Sequence, residues 1–177
     1  MKKRLEPKMA ALTHVAPGGE VRMVDMGEKA ATRRMARAEA HVHLGERIAR
    51  LLKRTGSVAK GNVLETARIA GIMASKRTHE LIPLCHPIPL DVVRVDLALK
   101  GGVLRIESTV ACRASTGVEM EALTAVAVAA LTVYDMCKSA GKGMVIGPLR
   151  LLEKSGGKSG HWQAGGAGTS CIHVGKQ

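Results

Sequence analysis

The sequence predicts an α+β domain, an antiparallel sheet with helices packed on one face, and three observations predict it. Two stretches on either side of Gly101-Gly102 alternate between apolar and polar residues, the pattern of a β-hairpin. A third alternating stretch opens near Arg34, well ahead of that hairpin. Between and beyond them lie stretches of helical period, the longest from Gly117 to Lys142.

Taken in order, residues 1–11 read as a disordered basic leader carrying Lys2, Lys3, Arg4 and Lys8. Residues 12–160 form one domain, and residues 161–177 read as a flexible tail. Pro17, Gly18 and Gly19 mark an opening loop. From Arg34, Ala36, Ala38, Ala40, Val42 and Leu44 take one side of a half-buried strand and Arg37, Glu39, His41 and His43 the other. The two histidines are read as solvated, not as metal ligands. Gly45 to Arg54 is a short amphipathic helix that Gly56 stops, and a second helix runs from about Gly61 to Leu81. Lys60 stands just ahead of that second helix, where the macrodipole disfavours a cation; either an anion or acidic partner is near, or the side chain merely points into water.

Pro83, Pro87 and Pro89 make LIPLCHPIPL a rigid, non-helical loop that fixes the direction of His86. Cys85 beside it is read as an inert thiol, because no activating base can be assigned. Asp91 to Lys100 and Val103 to about Ala114 are the hairpin strands, with Leu104, Ile106, Ser108, Val110 and Cys112 on one side of the second. After the long helix, MVIGPLRLLEK suits a final strand, with Gly147 and Pro148 predicting an edge or a bulge. The resulting order is that of the ferredoxin-like, split βαβ arrangement. KSGGKSG then offers Lys154 and Lys158 in a glycine-rich setting able to wrap phosphate oxygens, although it is not a Walker A loop.

A net charge of +12 predicts an anionic partner, either a nucleic acid or a phosphate-rich small molecule. With one Trp, one Tyr and no Phe, the chain has little on which to stack single-stranded bases. A basic α/β nucleic-acid-binding module is therefore the alternative reading, not the leading one. Four unevenly spaced cysteines without a CxxC pair predict a reducing, cytoplasmic setting. Thr124, Thr132 and Asp135 interrupt the long helix, so no membrane span is expected.

That helix poses a problem of distance. Glu119 and Glu121 open it and Asp135 and Lys138 close it; Glu121 and Asp135, fourteen positions apart, lie roughly 21 Å from one another. One compact pocket in one subunit cannot easily use both ends. Either there are two sites or a second subunit brings one end to the other. The same layout is also ordinary surface electrostatics.

KGNVLETARIAGIMASKRTHELIPLCHPIPL, TGVEMEALTAVAVAALTVYDMCK and MVIGPLRLLEKSGGKSG together resemble the molybdenum cofactor biosynthesis protein C family, whose members are cyclic pyranopterin monophosphate synthases. The resemblance runs from Leu12 to about Gly160. It implies a pyrophosphate-releasing lyase that rearranges a cyclised dihydro-GTP derivative into a pyranopterin bearing a cyclic phosphate. It also implies a homohexamer, a trimer of dimers with the site at the dimer interface, that binds neither nucleic acid nor membrane. No cofactor is implied, although magnesium could accompany the triphosphate without being bound by the protein.

By the same resemblance Lys60, Asp135 and Lys138 match the catalytic group, the lysines as proton-transfer residues whose pKa desolvation or nearby cations would lower. Leu84, Cys85, His86, Glu119, Met120, Glu121 and Lys154 match substrate-contacting positions, and Arg34 and Lys158 are added as candidates for the phosphates. Asn62 departs from the family, where an acidic residue is commoner, and Cys171 and His173 have no counterpart.

Overall fold

A computed structural model of the chain describes residues 19–27 and 29–165. The expected leader, Cys171 and His173 lie outside these residues. The elements are β1 (Thr32–His43), α1 (Glu46–Thr55), β2 (Ser57–Val58), β3 (Gly61–Asn62), α2 (Val63–Ser75), α3 (Thr78–Leu81), β4 (Val92–Lys100), β5 (Val103–Ala114), α4 (Glu119–Cys137), β6 (Val145–Ser155) and β7 (Trp162–Gln163). β2 and β3 pair only with each other; the main sheet has the order β4-β5-β1-β6-β7, every pair antiparallel. Without β7 this is the ferredoxin-like order.

Side-chain alternation decides which face of the sheet is covered. Ala36, Ala38, Ala40 and Val42 of β1 and Leu104, Ile106, Ser108, Val110 and Cys112 of β5 are all buried on one side. α4 lies over them with Ala122, Ala125, Val126, Ala129 and Ala130, so alanine meets alanine and the helix can sit close to the sheet. Ser108 adds a tie by donating from Oγ to the Ala122 carbonyl at 2.8 Å. Gly101 and Gly102, at φ 54° and 82°, take the left-handed conformation that a two-residue hairpin needs.

Several expectations change. The second helix breaks after Ser75, and α3 is a separate turn: the buried Thr78 hydroxyl donates to the Ser75 carbonyl at 3.0 Å, replacing helical continuity. Its buried stripe is Val63, Ala67, Gly71 and Ala74, whereas Ile69 and Met73 face outward. α4 is, contrary to expectation, long and apolar enough to cross a membrane, because three polar interruptions do not outweigh its alanines and valines. It is instead the core helix of this domain, with more than half of that length buried.

β6 is not an edge strand, because β1 and β7 flank it. The expected bulge is present: pairing skips between Ala40 and Val42, opposite Gly147 and Pro148, and the His43 ring donates from Nε2 to the Gly147 carbonyl at 3.1 Å. β7 falls inside the segment expected to be a tail from residue 161. Lys154 pairs with Trp162, which turns KSGGKSG into the loop of a hairpin.

The uncovered face of the sheet carries a charge ladder. Arg37 pairs with Glu107 and with Glu153, at 3.0 Å for the latter. Glu39, expected on the solvated side, is only 3% exposed because Arg105 and Arg150 roof it, donating at 2.7 and 2.9 Å.

Candidate functional site

A cavity of 1040 Å³ opens at the N-terminal end of α4. The start of β1 gives it Arg34, the proline-rich loop gives Leu84, Cys85 and His86, and α4 gives Glu119, Met120 and Glu121. The β6–β7 hairpin supplies Lys154 and Lys158. All nine positions expected to contact a substrate thus line one hollow. Lys60, Asp135 and Lys138 do not line it.

Each of these groups is held by something local. Arg34 donates from Nε to the Ala114 carbonyl at 3.1 Å and from Nη2 to the Ser115 carbonyl at 3.2 Å. Gly156 and Gly157 have φ 102° and 71°, and a Cβ on Gly157 would strike the Arg34 guanidinium. The loop therefore needs glycine twice over, for its conformation and for its contact with Arg34. The loop closes on itself through the Gly156 N–H to the Gly160 carbonyl at 3.1 Å.

The carboxylates differ in role. Glu119 pairs with Lys154 at 3.0 Å. Glu121 is 4% exposed, and burial, with the Glu119 charge in support, pushes its carboxyl above the usual carboxylate range. The shift favours the protonated carboxyl over the carboxylate. Burial, with the charge of Glu121 in support, also raises the Cys85 thiol, which fits an inert side chain, not a nucleophile. His86 donates from Nε2 to the Val24 carbonyl at 2.8 Å, so a neutral ring keeps Nδ1 as its free acceptor.

A second cluster forms at the far end of α4. Lys138 meets Asp135 Oδ1 at 2.6 Å, while Lys60 Nζ reaches Asp135 Oδ2 at 3.3 Å and donates to the Asp135 carbonyl at 3.0 Å. Asp135 is thus the acidic partner that accounts for a lysine ahead of α2. The hydrogen bond from Lys138, then that from Lys60, hold the Asp135 carboxyl below its usual range. Asp135 in turn raises Lys138, the reverse of the lowering expected, because the lysine is exposed and ion-paired instead of desolvated among cations. Asn62 caps α2, accepting on Oδ1 from the Glu65 N–H at 3.1 Å.

Sequence reasoning missed Lys29, Thr32, Ser115, Thr116, Ser155 and Ser159, which also line the cavity. Ser155 and Ser159 lie inside KSGGKSG and Thr116 opens TGVEMEAL, where only the charged residues and glycines were singled out; Lys29, Thr32 and Ser115 belong to no motif whose spacing carries chemistry. The signal that was available was position, since each lies within a few residues of a position already singled out.

Residues 23–157 match the model of the MoaC family. A cyclic pyranopterin monophosphate synthase of Methylobacterium sp. (strain 4-46) is 57% identical over 160 residues, covering 88% of this chain and 98% of that protein. The proteins of the same name from Novosphingobium aromaticivorans and Thermomicrobium roseum are 53% and 55% identical over 157 residues, with 88% of this chain covered in both cases and 99% and 94% of theirs.

Proposed function

Since this chain belongs to the MoaC family, we propose that it is a cyclic pyranopterin monophosphate synthase of molybdenum cofactor biosynthesis, releasing pyrophosphate from a cyclised dihydro-GTP derivative as a lyase. The observation that carries this reading beyond the family is the convergence of nine expected contact residues on one basic-and-acidic cavity. Arg34, Lys154 and Lys158 hold phosphate oxygens. Glu119 and Glu121 face the purine-derived ring, where both can accept hydrogen bonds from its donor edge. His86 Nδ1 accepts a proton or a hydrogen bond from the ribose-derived part.

Chemistry also needs groups that release and take protons as one ring opens and another closes. Lys60, Asp135 and Lys138 fill that role from a second subunit of a homohexamer, a trimer of dimers, because α4 is too long for its own two ends to serve one ligand. In the present arrangement Lys138 is an ammonium and thus acts first as a proton donor. Asp135 holds it and takes up the charge change. Magnesium, where present, arrives on the triphosphate. The site works in a cytoplasmic enzyme without nucleic acid or membrane as partner.

The test is pyrophosphate release from the cyclised dihydro-GTP substrate by the parent and by Lys138→Ala, with equal folding confirmed by circular dichroism. Release by the parent and a loss of about two orders of magnitude or more in the variant support the assignment. Intact substrate with the parent would overturn it and return attention to a nucleic-acid partner.

A further inference from the structure

The segment ahead of β1 is tied to the cavity at two places. His86 holds the Val24 carbonyl at 2.8 Å, and the Ser115 hydroxyl donates to the Lys29 carbonyl at 2.8 Å. Val24, Met26, Lys29 and Ser115 all line the cavity. Between those ties the Lys29 ammonium lies 3.6 Å from the Met26 sulfur, a weak acceptor that does little to neutralise a cation. Among the described residues no carboxylate lies within ion-pair distance of it. Lys154, by contrast, shares its charge with Glu119 at 3.0 Å.

Ser115 occupies a junction. Its carbonyl accepts from Arg34 Nη2 at 3.2 Å while its hydroxyl holds Lys29, so one residue links two cations of the same cavity to the end of β5. Arg34 is seated by backbone carbonyls whatever the side chain at position 115; Lys29 depends on that side chain. We propose that Ser115 is a positioning residue that seats Lys29 as a further phosphate-binding cation of this cavity. The proposal rests on the reading of the cavity as a triphosphate site and adds to it a residue pair outside the conspicuous motifs. A long, flexible lysine gains most from such seating, because fixing its backbone removes part of the ordering cost of gripping phosphate.

The experiment uses the full chain and inorganic tripolyphosphate as the probe, with binding followed by calorimetry alongside turnover of the cyclised dihydro-GTP substrate. Lys29→Met and Ser115→Ala should each weaken tripolyphosphate binding by about tenfold, Ser115→Thr should restore it, and KM should rise while kcat holds. Parent-like affinity in either Lys29→Met or Ser115→Ala overturns the proposal. So does a fall in kcat without a change in tripolyphosphate affinity, or a parent that does not bind tripolyphosphate. A parent that binds the probe with the expected variant pattern, yet leaves the nucleotide-derived substrate intact, sinks the proposed reaction and leaves the seating of Lys29 standing.

Discussion

Two buried carboxylates show how one residue type is given opposite electrostatics. Burial alone would raise Glu39, yet the hydrogen bonds from Arg105 and Arg150 outweigh it and keep the carboxyl below its usual range. Its stabilising contribution is therefore complete above the ordinary carboxylate pKa of about 4.3 and is lost as pH falls through the lower native value. Glu121 has the reverse sign. Its native pKa is raised, so its contribution is present below the ordinary value and is lost as pH rises through the native one. Urea unfolding of Glu39→Gln and Glu121→Gln against the parent across pH should show the two differences trending in opposite directions. At neutral pH Glu39→Gln should cost about 1–3 kcal/mol, since two half-exposed arginines lose their charged acceptor. Equal trends in both variants would contradict this account. At Gly157, replacement by alanine meets both a left-handed φ of 71° and the Arg34 side chain. That variant should bind tripolyphosphate about tenfold more weakly, because Arg34 is the neighbour displaced, and should melt somewhat lower, because alanine is strained at this φ.

Among the elements, the contact between α2 and α4 is set by a missing side chain. A Cβ on Gly71 would lie 2.7 Å from the Ala125 carbonyl and 3.3 Å from the Ala129 methyl, one of which is backbone and cannot swing aside. Gly71→Ala should therefore lower stability by about 1–3 kcal/mol despite alanine's better helix propensity, a result that thermal unfolding can check. A stabilised variant would mean that the helices have room to part. The same contact explains what the sequence did and did not disclose. The hairpin and β1 were readable because a period of two and a glycine pair leave few alternatives. α2 is apolar on most sides, so period alone could not say that Ile69 and Met73 face outward while Gly71 faces in. Its break after Ser75 depends on one hydroxyl, in a stretch where Lys76 and Arg77 are good helix formers. β7 spans two residues and leaves no periodic trace, yet it makes the lysine-bearing loop a closed hairpin. The cavity was legible where motifs converge, at Cys85-His86 and Glu119 to Glu121, and illegible at Lys29 and Ser115, which long-range packing alone brings together.

For the whole molecule, the division of the expected functional residues into two clusters at opposite ends of α4 is the governing fact. If one subunit supplies the cavity and another the lysine and aspartate group, inactive Glu121→Ala and Asp135→Ala chains should rescue each other when refolded together. A random mixture would place both intact halves in about one quarter of the sites. No recovery in mixed oligomers of confirmed composition would separate the two clusters functionally. α4 is then a ruler as well as a core helix. Adding a single residue beside Leu131 would turn Asp135 and Lys138 by about 100° around the axis and move them about 1.5 Å along it, away from Lys60 in the same chain and away from any cavity they face in another. Point substitutions on the helix can be absorbed one at a time. A change in its length cannot, so the count of residues between Glu121 and Asp135 is under tighter constraint than the identity of most of them.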